Sequence, residues 1–307
     1  MPKARIGGFQ NEGDAERLYV LYDAFVAEVW PVPAEELDVD TSFGSTHVRR
    51  SGPADGVPIV FIHPSSATSI GWYRLIGPVA ERHPVIAFDT MGTPGRSVQT
   101  APLTSGDDMA RWLDEALDAL ELDRVHLVGY SEGGWIAGTH AARTARPHRL
   151  VTLTLIEPGG ALIRVRPPTL LQLVLRGMWI IKGPGDSVQQ LRALNAWLSP
   201  GVELTDREIE FVLTVFETYR THLPLPSALD DAALASISAP TLVLLAEQTV
   251  LYDANVAADR ARQSLHDVEV EVVPGAGHGL PFQFPELTCD RLLRHIEAHP
   301  VGTTPSP

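Results

Sequence analysis

The chain alternates between two kinds of apolar pattern. Apolar runs of strand length occur at residues 57–62, 85–88, 125–128, 150–156, 241–245 and 268–273, the kind expected of strands buried on both faces. Two further strand-like stretches, 36–41 and 45–50, lie on either side of Phe43-Gly44. Between the runs the period becomes helical. Residues 12–29 place Leu18, Tyr22, Phe25 and Val29 on one side before Trp30-Pro31-Val32-Pro33 ends the pattern. Residues 108–120 carry Met109, Trp112, Leu113, Ala116 and Leu117 on one stripe. Helical patterns also cover 133–146, 254–265 and 284–298. Strands alternating with helices predict an α/β fold with a mainly parallel sheet covered on both faces. Ligands in such folds sit beyond the carboxyl ends of the strands.

One segment breaks the alternation. Residues 161–235 contain no buried-strand run, only amphipathic patterns near 170–181, 188–198 and 206–221, punctuated by prolines. That is long for a single crossover. It predicts a helical cap inserted into a core built from 1–160 and 236–307. The cap's apolar residues, with Trp179 and Phe216 as candidates, would line a pocket for an apolar substrate of moderate size.

Composition narrows the partners. With 24 basic and 38 acidic residues the formal charge is −14, which argues against nucleic-acid and membrane-surface partners and leaves a small molecule as the expected one. The single cysteine, Cys289, excludes an internal disulfide and a thiolate metal cluster. No His, Cys, Asp and Glu set has metal-ligand spacing, and no glycine-rich nucleotide loop follows a strand, so neither metal nor cofactor is expected. Glycines and charges interrupt the first 20 residues, and no apolar stretch of about 18 residues occurs. A cytoplasmic location is the resulting expectation.

The chemistry is concentrated after the run at 125–128. There Gly129-Tyr130-Ser131-Glu132-Gly133-Gly134 opens an alanine-rich helix, a G-x-S-x-G in the strand–turn–helix context that a nucleophilic serine needs. Ser131 is the candidate nucleophile. Eleven histidines are available as its base. His278, in Pro274-Gly275-Ala276-Gly277-His278-Gly279 just past the last strand, reaches the same sheet edge and is the candidate.

From about residue 36 to residue 299 the chain resembles the α/β-hydrolase superfamily, in its serine-dependent, esterase-like branch. The resembling motifs are His63-Pro64-Ser65-Ser66, Asp89-Thr90-Met91-Gly92-Thr93-Pro94-Gly95-Arg96-Ser97, the turn at Ser131 and the terminal Gly277-His278. The resemblance implies an α/β-hydrolase fold and an oxyanion hole. Pro64 replaces the usual glycine of the first oxyanion loop and has no N–H. The hole would then comprise the N–H groups of Ser65 and Glu132, with the Ser66 hydroxyl nearby. Trp72, soon after this loop, is a further candidate for the substrate wall.

The resemblance also implies an acid after the strand at 241–245, but there Ala246-Glu247-Gln248-Thr249 puts Thr249 at the aspartate position. Three alternatives stay open: Glu157 at the end of the preceding strand, Asp253 four residues past Thr249, or no carboxylate at all. The Glu132 side chain has two readings as well. It is a carboxylate favourably placed in the first turn of a helix, or a selector of cationic substrates, as in the amino-acid-ester hydrolases it resembles.

Hydrolysis of a carboxylic ester through an acyl-enzyme is the leading function. The alternative is a lyase on the same fold that expels a carboxylate such as acetate, since elimination needs no fully charged triad. A ligand receptor without turnover is the third class.

Overall fold

The structure, a computed structural model, describes residues 5–300. Its strands are β1 (Gly8–Phe9), β2 (Ala34–Thr41), β3 (Gly44–Ser51), β4 (Ile59–Ile62), β5 (Val85–Phe88), β6 (Val98–Gln99), β7 (Val125–Tyr130), β8 (Leu150–Ile156), β9 (Tyr219–Arg220), β10 (Thr241–Ala246) and β11 (Val268–Val273). The α-helices are α1 (Glu12–Val29), α2 (Tyr73–Ala80), α3 (Gly106–Ala119), α4 (Glu132–Arg143), α5 (Pro167–Lys182), α6 (Ser187–Leu198), α7 (Asp206–Thr218), α8 (Asp231–Ala235), α9 (Ala254–Ser264), α10 (Leu280–Gln283) and α11 (Pro285–Ala298).

The main sheet runs β11-β10-β8-β7-β4-β5-β3-β2, with the short β6 paired to β3. From β11 to β5 every pairing is parallel, and the β2–β3 hairpin adds an antiparallel end. The mainly parallel sheet is the one expected from the alternating pattern, and the whole is the α/β-hydrolase fold that the resemblance implies. The central strands β4, β5, β7, β8 and β10 are buried at every position, as runs without a polar face require. Trp112, Leu117, Trp135 and Ala257, from α3, α4 and α9, fill the core on one face of the sheet. Trp72, Leu75 and Leu292 anchor the core that α2 and α11 form on the other.

Between β8 and β10 the chain adds no strand to this sheet. Helices α5, α6 and α7 form their own small core around Ile180, Leu191, Leu194 and Ile209. The short α8 turns back to pack on α4 and α9, and Ala161, Leu162, Leu229 and Leu234 join the main core.

The N-terminal segment is tied to α7. Strand β1 pairs antiparallel with β9, directly after α7, and Phe9 stands edge-on to Tyr219 with ring centroids 5.1 Å apart. Arg17 pairs with Glu217 at 2.7 Å and Glu28 with Arg207 at 3.1 Å. On its inner side Tyr22 donates to the buried Asp89, so α1 is fastened to the core and to α7 at once. Among the described residues no helix is long and apolar enough to cross a membrane.

Candidate active site

Three strand ends bring the reacting groups together. Tyr130, the last residue of β7, is in register with Ile156, the last of β8, so the following residues Ser131 and Glu157 emerge side by side. Ala246 at the end of β10 lies in register with Val273 of β11, and the loop beyond β11 returns His278 over the same edge.

Ser131 is held at φ 55, ψ −118, a conformation that costs a non-glycine residue of order 1–3 kcal/mol and places its hydroxyl above the sheet. The turn needs its glycines. A Cβ on Gly129 would meet the Gly133 carbonyl oxygen at 2.2 Å, and one on Gly133 would meet the Ile62 carbonyl oxygen at 2.1 Å. Ser131 Oγ lies 2.9 Å from His278 Nε2, and His278 Nδ1 lies 3.0 Å from Glu157 Oε2. With a proton on Nδ1 donated to Glu157, Nε2 is left to accept from the serine, the arrangement general-base activation needs.

The carboxylate that the structure brings to His278 is therefore Glu157. It is fully buried, at φ 43, and both carboxylate oxygens are engaged. Oε1 accepts from the Ala246 N–H at 2.6 Å, and Oε2 accepts from the Thr249 hydroxyl at 2.7 Å as well as from His278. Asp253 is not a partner of His278. It caps α9, accepting from the Asn255 and Val256 N–H groups, and faces Arg166 at 3.7 Å in an exposed pair. Asp is one of the residues favoured at a helix N-cap, and that role accounts for a carboxylate at this point in the chain.

His278 is fixed from both sides. Its N–H donates to the Leu198 carbonyl at the end of α6, and its carbonyl accepts from the Tyr130 hydroxyl at 2.8 Å. Gln283 adds a brace, accepting from the Gly277 N–H and donating to the Pro200 carbonyl. Burial raises the Tyr130 hydroxyl pKa, so it stays a donor.

The Glu132 N–H is the first of α4, and neither it nor the Ser65 N–H has a hydrogen-bond partner among the described residues. Both belong to segments beside Ser131, and they are the donors available to an oxyanion. His63 shapes the loop that holds Ser65. Its Nδ1 lies 2.8 Å from the Pro64 carbonyl and its Nε2 accepts from the Thr90 N–H at 2.9 Å. Burial lowers its pKa, which keeps the ring neutral for both contacts.

Ser131 and His278 stand in a cavity of about 490 Å3. Ser65, Ser66 and Phe216 line it, with leucines from α5 and α6. Trp72 and Trp179 do not. Trp72 is buried below the site against Phe61, centroids 4.9 Å apart, while its neighbour Tyr73 reaches the wall. Trp179 points outward from α5, 54% exposed. A tryptophan's position in the chain says that it packs, not on which side. Among the wall residues that the sequence does not single out are Phe25 from α1 and Phe282 from α10. Phe25 was visible as part of an apolar stripe, but nothing local tells that the stripe faces α7.

The Glu132 side chain is absent from the cavity wall, so it is not placed to select a cationic substrate. Burial pushes its carboxyl up to about 7. Among the described residues no group of three or more His, Cys, Asp or Glu is arranged to hold a metal ion.

A strained serine after a central strand, a histidine beyond the last strand and an acid between them in the chain set this fold apart from other α/β sheets. The family model for the alpha/beta hydrolase family matches residues 59–291. The chain belongs to that family. Among its alpha/beta hydrolase relatives is the carboxylesterase YbfK of Bacillus subtilis (strain 168), 29% identical over 289 residues, spanning 91% of this chain and 93% of the relative. The uncharacterized carboxylesterase nap of the same organism is 27% identical over 301 residues, 92% of this chain and 93% of the relative. The crystal structure of naproxen esterase (carboxylesterase NP) from Bacillus subtilis superposes with a TM-score of 0.83 at 25% identity, covering 93% of this chain and 99% of the other.

Proposed function

We propose that this chain is a serine hydrolase that cleaves carboxylic esters of small to medium, apolar, uncharged substrates through an acyl-enzyme. The observation that carries the reading is the unbroken relay Ser131–His278–Glu157 on the floor of an apolar cavity. The similarity to carboxylesterases over nearly the whole chain supports the same reaction. Ser131 Oγ attacks the ester carbonyl as His278 Nε2 takes its proton, and Glu157 stabilises the imidazolium. The tetrahedral oxyanion is met by the Ser65 and Glu132 N–H groups. Its collapse breaks the C–O bond, His278 returns the proton to the leaving alkoxide, and the alcohol departs. Water, deprotonated by the same histidine, then releases the acid and restores Ser131.

The cavity falls within the usual range of about 300–1,000 Å3 for small-molecule sites. Among the described residues its only carboxylate is Glu208, and none of those on its wall is a Lys or Arg. Glu208 is already engaged by Tyr73 and by Arg74 at 3.8 Å. A substrate carboxylate would find no partner, so the fit is to neutral esters. Helices α5–α7 act as a cap over the site in this reading. A cytoplasmic location belongs to it too, since the lone Cys289 is a free, buried thiol.

The case for elimination rests on the altered acid box at Thr249, and Glu157 against His278 speaks for hydrolysis instead. The test is a panel of neutral esters of increasing acyl length in ¹⁸O-water. Alcohol plus ¹⁸O-labelled acid, lost in Ser131→Ala, is the expected result. Alkene plus unlabelled acid, or binding without turnover, would overturn it.

A further inference from the structure

Helix α5 is built inside out. Its inner side is Thr169, Leu173, Gly177 and Ile180, while Leu170, Leu171, Val174, Leu175, Met178 and Trp179 are between 41% and 59% exposed. At about 100° per residue these six fall on one arc of about half the helix. Single exposed apolar side chains need no explanation, but a continuous face of this size does.

The segment that carries this face is opposite in charge to the chain. No Asp or Glu occurs between Glu157 and Asp186, a stretch that holds Arg164, Arg166, Arg176 and Lys182, while the whole molecule carries −14. Arg164, Arg176 and Lys182 have no carboxylate partner among the described residues, and Arg166 meets only the exposed Asp253. The face also borders the active site. A second cavity of about 390 Å3, lined by Met178, Ile181, Lys182 and Arg220, shares Ser66 and Phe216 with the cavity above Ser131.

We propose that the outer face of α5 docks on an anionic phospholipid surface. An apolar arc of Leu, Val, Met and Trp fringed by Lys and Arg is the pattern of a helix that lies in the headgroup–acyl boundary. Juxtamembrane cations add to such binding at short range, where a distant net negative charge is screened. A second copy of the chain fits less well, because face-to-face α5 helices would oppose the same cations with no carboxylate on that face to pair them. Docked in this way, the second cavity opens toward the bilayer, and an apolar ester reaches Ser131 without crossing water. The last consequence rests on the ester-hydrolase reading; the docking itself does not.

The experiment is flotation of the full chain with phosphatidylglycerol-containing vesicles and with phosphatidylcholine vesicles, at low and at physiological salt. The wild type is expected to float with the anionic vesicles, less so at higher salt. Leu171→Ser/Leu175→Ser and Arg164→Gln/Lys182→Gln should each weaken partition by roughly tenfold or more. All four positions are exposed and off the cavity above Ser131, so circular dichroism, melting temperature and turnover of a water-soluble ester should not change in the leucine pair. Trp179 should contribute a blue shift on binding that Trp179→Phe reduces. A wild type that stays with the unfloated protein would overturn the proposal, as would equal flotation of both double variants. So would a stable dimer that is dissociated by Leu171→Ser/Leu175→Ser and ignores vesicles. Flotation by a protein with no esterase activity would leave the docking standing and remove the ester reading alone.

Discussion

At the residue scale, Glu157 and the Thr249 hydroxyl beside it decide how His278 is held. Glu157 is fully buried with three donors on two oxygens, so it orients the His278 ring and can oppose the imidazolium charge. Glu157→Gln is expected to lower kcat by roughly 10³- to 10⁴-fold, while Asp253→Ala, which removes the α9 cap, leaves kcat within about twofold and costs about 1 kcal/mol of stability. Steady-state kinetics and melting of the two variants check this. Thr249 acts through Glu157 as a positioning residue, in the way second-shell hydrogen bonds orient reacting ligands. Thr249→Val should lower kcat by roughly tenfold with little change in KM, shift the pH profile of kcat/KM, and be rescued by Thr249→Ser. Full activity in the valine variant would reduce Thr249 to packing. Ser131 and His278 were legible in the sequence because each sits in a short local motif whose glycines the turn demands. The acid was not. Glu157 lies 121 residues before His278, and a carboxylate after a strand looks alike whether it caps a helix, as Asp253 does, or faces an imidazole.

At the element scale, the apolar periods located the buried strands and most helices, because burial on two faces or on one stripe is a local property. What they could not convey is which stripe meets which. Helix α1 was legible as amphipathic, yet its contact with α7 and the pairing of β1 with β9 join residues some 200 positions apart. Phe25 thereby becomes part of the cavity wall. Phe25→Ala is expected to enlarge that end of the cavity and move the preferred ester toward bulkier acyl or alcohol groups, chiefly through KM. A panel of esters read as kcat/KM ratios measures it, and an unchanged ratio would take Phe25 out of the specificity wall. Helix α5 shows the opposite limit. Its hydrophobic residues suggested a pocket lining, but its small or slender Thr169 and Gly177 face inward and Trp179 faces out.

For the whole molecule, the half-buried Glu132 and the buried His126 set opposing pH slopes. Burial holds the Glu132 carboxyl at about 7, so between the unfolded value of about 4.3 and 7 the folded state binds more protons and stability falls as pH rises. Burial, with His83, His295 and Arg124 nearby, lowers His126 to about 4. Between about 4 and the unfolded value of about 6.5 the unfolded state binds more protons, and stability rises with pH. Single variants separate the two. Glu132→Gln should be more stable than the wild type at pH 8 by about 1–2 kcal/mol, the shift being reduced by the partial exposure of that side chain. It should keep the loss of stability below about pH 6, which His126→Gln should blunt. Melting curves from pH 4 to 8 decide the matter, and a Glu132→Gln protein no more stable than wild type at pH 8 would contradict it.

The central claim is that the fold delivers an activated serine at position 131. Intact-mass analysis after treatment with a fluorophosphonate probe tests it most directly, because only a serine with a working base reacts rapidly. One adduct is expected on the wild type, none on Ser131→Ala, and a strongly slowed reaction on Glu157→Gln. A folded wild type that stays unlabelled, or a Ser131→Ala protein that labels equally well, would contradict it.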